Sequence, residues 1–129
     1  MKGNNLVILR GYLGSDPTAR PVPGDPLTEL NLATHSHWRD SEGVLQERTD
    51  WHRITVHGVT ADWALRALSR GDQIFVLGSL RPRSWQQSDG TRRTAVSVRA
   101  WEVQRLAGRS RHSVDPNDSS VNHAQSGVR

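Results

Sequence analysis

Cysteine is absent from this chain of 129 residues, so neither disulfide bonds nor thiolate metal sites can form. That composition fits a reducing compartment. No apolar run approaches the roughly 20 residues that a helix needs to cross a bilayer. The opening residues 1–5 also lack the charged, apolar and small-residue pattern of a signal peptide. Together these absences predict a cytoplasmic protein without membrane contact.

Catalytic motifs are missing as well. The sequence contains no Gly-x-Ser-x-Gly elbow, no phosphate loop of the Gly-x-x-x-x-Gly-Lys type and no His-x-x-x-His zinc signature. His35 and His37 would share one face of a strand, but no third ligand stands at a usual metal-binding spacing. We therefore predict that the protein is not an enzyme and that it uses no metal or cofactor.

Lysine is nearly absent too, because Lys2 is the only lysine among 17 basic residues. Against 13 acidic residues the formal net charge is +4. Arginine suits phosphate oxygens through its planar fork, and it stacks on aromatic rings better than lysine does. The composition thus favours a phosphate-bearing partner, although a solvated surface of mixed charge would have the same net charge.

Three of the five tryptophans stand beside arginine in strand-like sequence, namely Trp38, Trp51 and Trp85. A flat ring beside a cation suits an unpaired nucleic-acid strand, whose bases stack and whose phosphates are charged. Burying guanidinium groups beside these rings would be costly, so we expect the rings to be at least partly exposed. Trp63 and Trp101 have no such neighbours, and we expect them to pack within the fold.

Period-two patterns and turn residues predict five strands, over residues 6–9, 27–34, 51–57, 73–85 and 95–106. The first is expected to be largely buried. Residues 16–26 and 39–49 are predicted loops. Between the third and fourth strands we predict one helix, capped by Thr60 and ended by Gly71, with Ala64, Leu65 and Leu68 as its apolar stripe.

The third strand is the most informative segment, because its alternation sorts side chains onto two faces. Ile54 points inward, while Trp51, Arg53, Thr55 and His57 share the opposite face. A ring, a guanidinium and an imidazole along one strand form a track about 20 Å long at ~3.3 Å per residue. Such a track could follow several nucleotides. Trp38, by contrast, has the strand parity of core residues, so a buried position is its alternative.

Five strands with one helix between the third and fourth are typical of the OB-fold, a Greek-key barrel whose face and loops bind oligonucleotides. We predict this all-β domain over residues 1–107. Residues 108–129 are polar, with scattered valines, and cannot bury enough apolar surface to offset chain entropy. They are predicted to form a disordered tail.

Several segments closely resemble the bacterial single-stranded DNA-binding protein family, in order and at similar spacing. They are VILRGYLGSDP at 7–17, LAT at 32–34, WRD at 38–40, TDWHR at 49–53, GDQI at 71–74 and RPRSW at 81–85. The resemblance implies sequence-independent binding of single-stranded DNA in replication, recombination or repair, associated with the nucleoid. It also implies a homotetramer, with a dimer as the alternative, and places His52 at a subunit interface.

Carried over by position, the resemblance implies a DNA-binding set made of base-stacking tryptophans and basic or aromatic neighbours. These are Trp38, Trp51, Trp85, His57, Arg39, Arg48, Arg53, Arg70, Arg81 and Arg83. Two departures stand out. His57 occupies a position where the family commonly has a stacking phenylalanine, which predicts a smaller platform with a pH-dependent charge. The chain also ends in Ser126-Gly127-Val128-Arg129 without the family's acidic tip, which puts recruitment of partner proteins through that tip in doubt.

Other functions stay open on the residues alone. A primosomal accessory protein of the same fold would be dimeric, with fewer stacking tryptophans. An OB module for protein interaction would turn its aromatic face to a partner chain. An RNA chaperone would differ only in its relative affinity for RNA.

Overall fold

The computed structural model describes residues 2–20 and 22–108, which form six strands and one helix. In chain order these are β1 (Val7–Leu13), β2 (Thr18–Arg20), β3 (Leu27–Arg39), β4 (Leu45–His57), α1 (Gly58–Ala67), β5 (Gln73–Gln86) and β6 (Arg92–Ala107). Helix α1 is neither long enough nor apolar enough to span a membrane. Apart from Gly108, the tail predicted for residues 108–129 lies outside the described residues.

Five of the strands close into a barrel. β1 pairs with β5 along most of its length and, at Tyr12 and Leu13, with β3. β3 pairs with β4, β4 runs parallel to β6, and β6 pairs with β5, which completes the ring. The helix connects β4 to β5, the third and fourth strands of the ring in chain order. The predicted all-β OB-fold is therefore confirmed.

Aliphatic side chains that alternate along the strands fill the barrel. Ile54 on β4 and Ile74 on β5 have no exposed surface. Helix α1 covers one end, where the Thr28 hydroxyl donates a hydrogen bond to Ala61 O at 2.9 Å. Trp63 packs against this core, as predicted. Burial of each such apolar side chain contributes about 1.5–3 kcal/mol, so the barrel is a stable support for what its surface carries.

The loop predicted for residues 39–49 is mostly strand. β3 and β4 form one continuous antiparallel hairpin, and only residues 40–44 turn. Beyond Thr34 the hairpin extends past the barrel, and its side chains are exposed with few exceptions. Alternation of apolar residues reveals strands that have one buried face, and this segment has none. For the same reason the sequence did not predict β2, a short strand that lies within the loop expected at residues 16–26 and pairs with β3.

Two further predictions were wrong in detail. The first strand is only half buried, because Leu6 and Ile8, on the outer side of the barrel, are 59% and 58% exposed. The helix begins at Gly58, earlier than a cap at Thr60 allows, because the chain turns directly out of β4 at this glycine with a φ of +67°. Ala61 and Ala64 form the buried face of the helix, and Leu65 is exposed instead of buried.

Candidate nucleic-acid interface

The β3–β4 hairpin holds two of the three tryptophans outside the barrel. Trp38 is 46% exposed and Trp51 is 58% exposed, so the alternative of a core position for Trp38 is wrong. Asp40 shapes the turn between the strands, since its carboxylate accepts the N–H groups of Val44 and Glu42 at 2.9 Å each. The pKa of the Asp40 carboxyl is lowered, and the hydrogen bond from the Val44 N–H is the main cause. The turn therefore keeps its anionic anchor at neutral pH.

Trp51 lies against Gly14, the residue that follows β1. A Cβ atom on Gly14 would be 2.4 Å from Trp51 Cζ3 and 2.7 Å from Cη2, so any other residue here would displace the indole. The backbone of Gly14 is held in place, because its N–H donates to Asn31 O at 2.9 Å. From the sequence, Gly14 was known only as one residue of the family-like segment 7–17. The structure adds that it provides the space in which Trp51 sits.

Strand β5 carries the third tryptophan together with two arginines. Trp85 is 38% exposed, and the guanidinium carbon of Arg83 lies 4.6 Å from the centroid of its ring. Such a cation–π contact is worth about 0.5–1 kcal/mol at an exposed site, enough to keep the two side chains together. The β5–β6 register is regular here, so Pro82 causes no bulge. Arg81, Arg83 and Trp85 consequently occupy one face of β5.

A groove of about 420 Å³ crosses the surface of the barrel and is rich in cations. Its charged lining consists of five arginines and one carboxylate, Arg20, Arg53, Arg81, Arg83, Arg99 and Glu29. We call this surface the arginine groove. Each of the strands β2 to β6 contributes at least one of these residues. Five arginines against one carboxylate leave the groove with a net positive charge, which attracts an anion.

The arginine groove brings together four members of the DNA-binding set, Arg53, Arg81, Arg83 and His57. The imidazole of His57 is directed by Asp25, since Nδ1 lies 2.9 Å from a carboxylate oxygen. The position that the family commonly fills with phenylalanine thus holds a polar ring with a polar partner.

The other predicted cations lie outside the lining of the arginine groove. Arg39 donates from Nη1 to Gly43 O at 2.9 Å, which ties it to the hairpin turn. Arg48 forms an exposed ion pair with Asp50 at 2.8 Å, and Arg70 is exposed next to the start of β5. Trp38, Trp51 and Trp85 are likewise absent from the lining. A ligand that touches the whole predicted set must therefore extend well past the groove.

Three residues of the arginine groove were not predicted from the sequence, namely Arg20, Glu29 and Arg99. Arg20 belongs to the short strand β2, which was predicted as loop. Arg99 lies between buried Val98 and Ala100 on β6, so the alternation along this strand already indicated that Arg99 points outward. Arg20 has no aromatic neighbour in sequence, but Arg99 stands two residues before Trp101, the same spacing as between Arg83 and Trp85, and this pairing of arginine with tryptophan was overlooked.

Trp101 was predicted to pack inside the fold, and this is wrong, because it is 55% exposed. The β5–β6 register is irregular between Leu77 and Gly78. Ala100 and Val103 are both buried, which leaves Trp101 and Glu102 together on the outside.

His52, predicted at a subunit interface, is partly buried, and its Nε2 lies 2.9 Å from the Thr34 hydroxyl.

A closed barrel with exposed indoles and a cationic groove is the architecture of OB-fold nucleic-acid-binding proteins. Within that class, the chain belongs to the Single-strand binding protein family, whose model matches residues 4–106. The family resemblance seen in the sequence is therefore confirmed. The match covers β1 to β5 and α1 in full, and β6 up to residue 106.

Two curated relatives are the single-stranded DNA-binding proteins of Neisseria meningitidis serogroup A and serogroup B, each 38% identical over 110 residues. The alignment covers 84% of this chain and 63% of each relative, so the chain spans less than two thirds of their length. A solved complex of Plasmodium falciparum SSB with ssDNA has a TM-score of 0.77 at 29% identity, covering 82% of this chain and 97% of that one. The single-stranded DNA binding protein from Thermus aquaticus, solved as a deletion mutant, has a TM-score of 0.74 at 34% identity, covering 84% and 53%.

Proposed function

We propose that this protein binds single-stranded DNA without sequence preference, in the cytoplasm and on the nucleoid, and protects it during replication, recombination or repair. The observation that carries the proposal is the exposure of Trp38, Trp51 and Trp85 on the same barrel as the arginine groove. The relative from Plasmodium falciparum, solved with ssDNA, has the same fold and supports this assignment. In this proposal the protein is a binding protein and not an enzyme.

The two kinds of side chain have different tasks. The indoles stack on unpaired bases, and since every base has a stackable face, the binding does not depend on sequence. The arginines contact phosphates and draw the strand in by releasing counterions, a contribution that salt weakens. Duplex DNA hides its bases within the helix and therefore loses the stacking contribution. Arg39, Arg48 and Arg70 extend the cationic path beyond the arginine groove.

Titration with oligo(dT), followed by tryptophan fluorescence, tests the proposal. We expect strong quenching, and far weaker binding of a duplex of equal length. Among the described residues Arg81 and Arg83 make no ion pair, and alone they would give a log–log salt slope of about −1.4 per subunit. If Arg39 and Arg53 also reach phosphates, the slope becomes about −3 at 0.7 per phosphate.

Two outcomes would replace this function with another. An unchanged fluorescence signal with oligo(dT), alongside a tight complex with a protein, would identify an interaction module. Binding of oligo(rU) that is clearly tighter than that of oligo(dT) would identify an RNA-directed role.

We also propose that the protein acts as a homo-oligomer, a tetramer or a dimer. The outer face of β1 and β5 is largely apolar, since exposed Ile8 lies directly opposite Leu77 with Phe75 beside it, and Arg10, opposite Phe75, adds one charge. Over residues 7–11 the structure pairs β1 only with β5, so the other edge of β1 is open there. An open edge beside an apolar face favours pairing with a second copy.

Replacing Ile8 by Glu should reduce the size of the assembly, because it places a charge on the apolar face in every subunit. Sedimentation velocity at several protein concentrations measures the change. Val59→Glu is the matched control, since Val59 is 84% exposed on helix α1, away from β1. A wild-type monomer, or an Ile8→Glu variant with the wild-type sedimentation coefficient, would contradict this interface.

A further inference from the structure

Glu29 is the only carboxylate that lines the arginine groove in the described part of the chain. One of its oxygens, Oε2, accepts hydrogen bonds from Arg20 Nη1 at 2.5 Å and from Arg53 Nη2 and Nε at 2.6 and 3.0 Å. Two guanidinium groups from different strands thus converge on one anionic oxygen. That arrangement is the one by which arginines hold a phosphate oxygen.

The Glu29 side chain is ionised in this setting. Partial burial raises the pKa of Glu29, but the hydrogen bonds and charges of Arg53 and Arg20 outweigh it, so the pKa lies below its ordinary value. The carboxylate is 21% exposed, whereas its two partners are 45% and 48% exposed. An incoming anion can therefore reach both arginines from solvent, while Glu29 lies deeper in the groove.

We propose that Glu29 is a built-in substitute for a DNA phosphate, which occupies Arg20 and Arg53 in the free protein and competes with the DNA backbone for them. This inference rests on the proposed function and goes beyond it, because it gives Glu29 the role of weakening the binding of single-stranded DNA. Glu29 thereby sets how tightly the arginine groove holds a strand and how strongly salt affects that hold.

Competition outweighs any benefit from positioning the arginines in advance. Both arginines are about half exposed, so their screened ion pairs fix them only loosely and little is gained by positioning them in advance. The backbone of Glu29 is held by pairing with Thr18 on one side and Thr55 on the other, so its carboxylate stays tethered beside the two arginines. A phosphate that enters between Arg20 and Arg53 therefore stays close to a like charge, which opposes its binding.

The variant Glu29→Gln tests this inference, since the amide keeps the shape of the side chain and can still accept a hydrogen bond from one arginine. With oligo(dT) at about 50 mM salt we expect binding roughly three- to tenfold tighter than wild type. The log–log salt slope should steepen by about 1.4, because two more phosphates are neutralised. The gain in affinity should shrink as salt is raised.

Two further variants make the result specific. Glu47→Gln removes the same charge from the same hairpin, but Glu47 lies outside the arginine groove, and among the described residues its ion pair is with His37 at 3.6 Å. The salt slope of this variant should equal that of wild type. Adding Arg20→Gln to Glu29→Gln should remove about half of the extra slope. Thermal unfolding of each variant establishes that the barrel is intact.

Each outcome decides the matter. Affinity and slope unchanged or reduced in Glu29→Gln, while wild type quenches with oligo(dT), would overturn the role of Glu29 and leave the proposed function standing. An equal gain in Glu47→Gln would also overturn it, because the effect would then be one of net charge. Wild-type protein that fails to bind oligo(dT) would overturn both.

Discussion

Replacing Trp38, Trp51 and Trp85 together by alanine is expected to abolish most of the affinity for single-stranded DNA. Stacking of a base on an aromatic ring is worth about 1–3 kcal/mol, a general range for OB-fold proteins that includes this family. Three rings then account for roughly 3–9 kcal/mol per subunit, which corresponds to a loss of about a hundredfold to a millionfold. Because stacking carries no charge, the loss should persist at high salt. Competition titrations with a labelled oligo(dT) at two salt concentrations measure it.

The fold should survive this triple substitution. None of the three rings belongs to the buried core of the barrel, so alanine truncates no core side chain, and thermal unfolding checks that the barrel is intact. The matched control carries phenylalanine at all three positions, which keeps a stackable plane and should retain much of the affinity. If the alanine variant is folded and binds oligo(dT) within threefold of wild type, the indoles do not hold the DNA and the proposed mechanism is wrong.

The sequence predicted those parts of the molecule in which one face is buried. Alternation along residues 51–57 placed Ile54 inside and Trp51 and Arg53 outside, and the structure agrees. The outer half of the β3–β4 hairpin could not be predicted, because a strand with both faces exposed to solvent shows no alternation of apolar residues. Trp101 was misplaced because its prediction used neighbouring residue types and not parity, whereas alternation from buried Val98 and Ala100 places Trp101 outside.

Charged contacts between strands were even less predictable. Glu29 and Arg53 are separated by 24 residues, and nothing in either local pattern shows that they meet. They meet because the β3–β4 register pairs Glu29 with Thr55 and Asn31 with Arg53, which makes Glu29 and Arg53 diagonal neighbours. Composition and parity therefore predicted which arginines are candidates for DNA binding, but only the strand register showed which of them pair with a carboxylate.

The barrel itself should depend strongly on Ile54. This side chain has no exposed surface and lies between Arg53 and Thr55, which both line the arginine groove. Ile54→Ala removes apolar contacts and leaves a cavity, so the free energy of unfolding should fall by about 2–5 kcal/mol. The midpoint of thermal unfolding should drop by at least about 8 °C. Calorimetry or circular dichroism at fixed protein concentration measures both quantities.

Graded variants separate the cavity from other causes. Ile54→Val removes one methylene group and should cost about 0.5–1.5 kcal/mol, between wild type and alanine. Val59→Ala truncates a branched side chain that is 84% exposed and should change stability by less than about 0.5 kcal/mol. Saturating oligo(dT) should raise the midpoint of all three, because DNA binds only the folded barrel. A loss below about 1 kcal/mol for Ile54→Ala would show that the barrel relaxes around the site, and that the interior of β4 is not what holds the groove in shape.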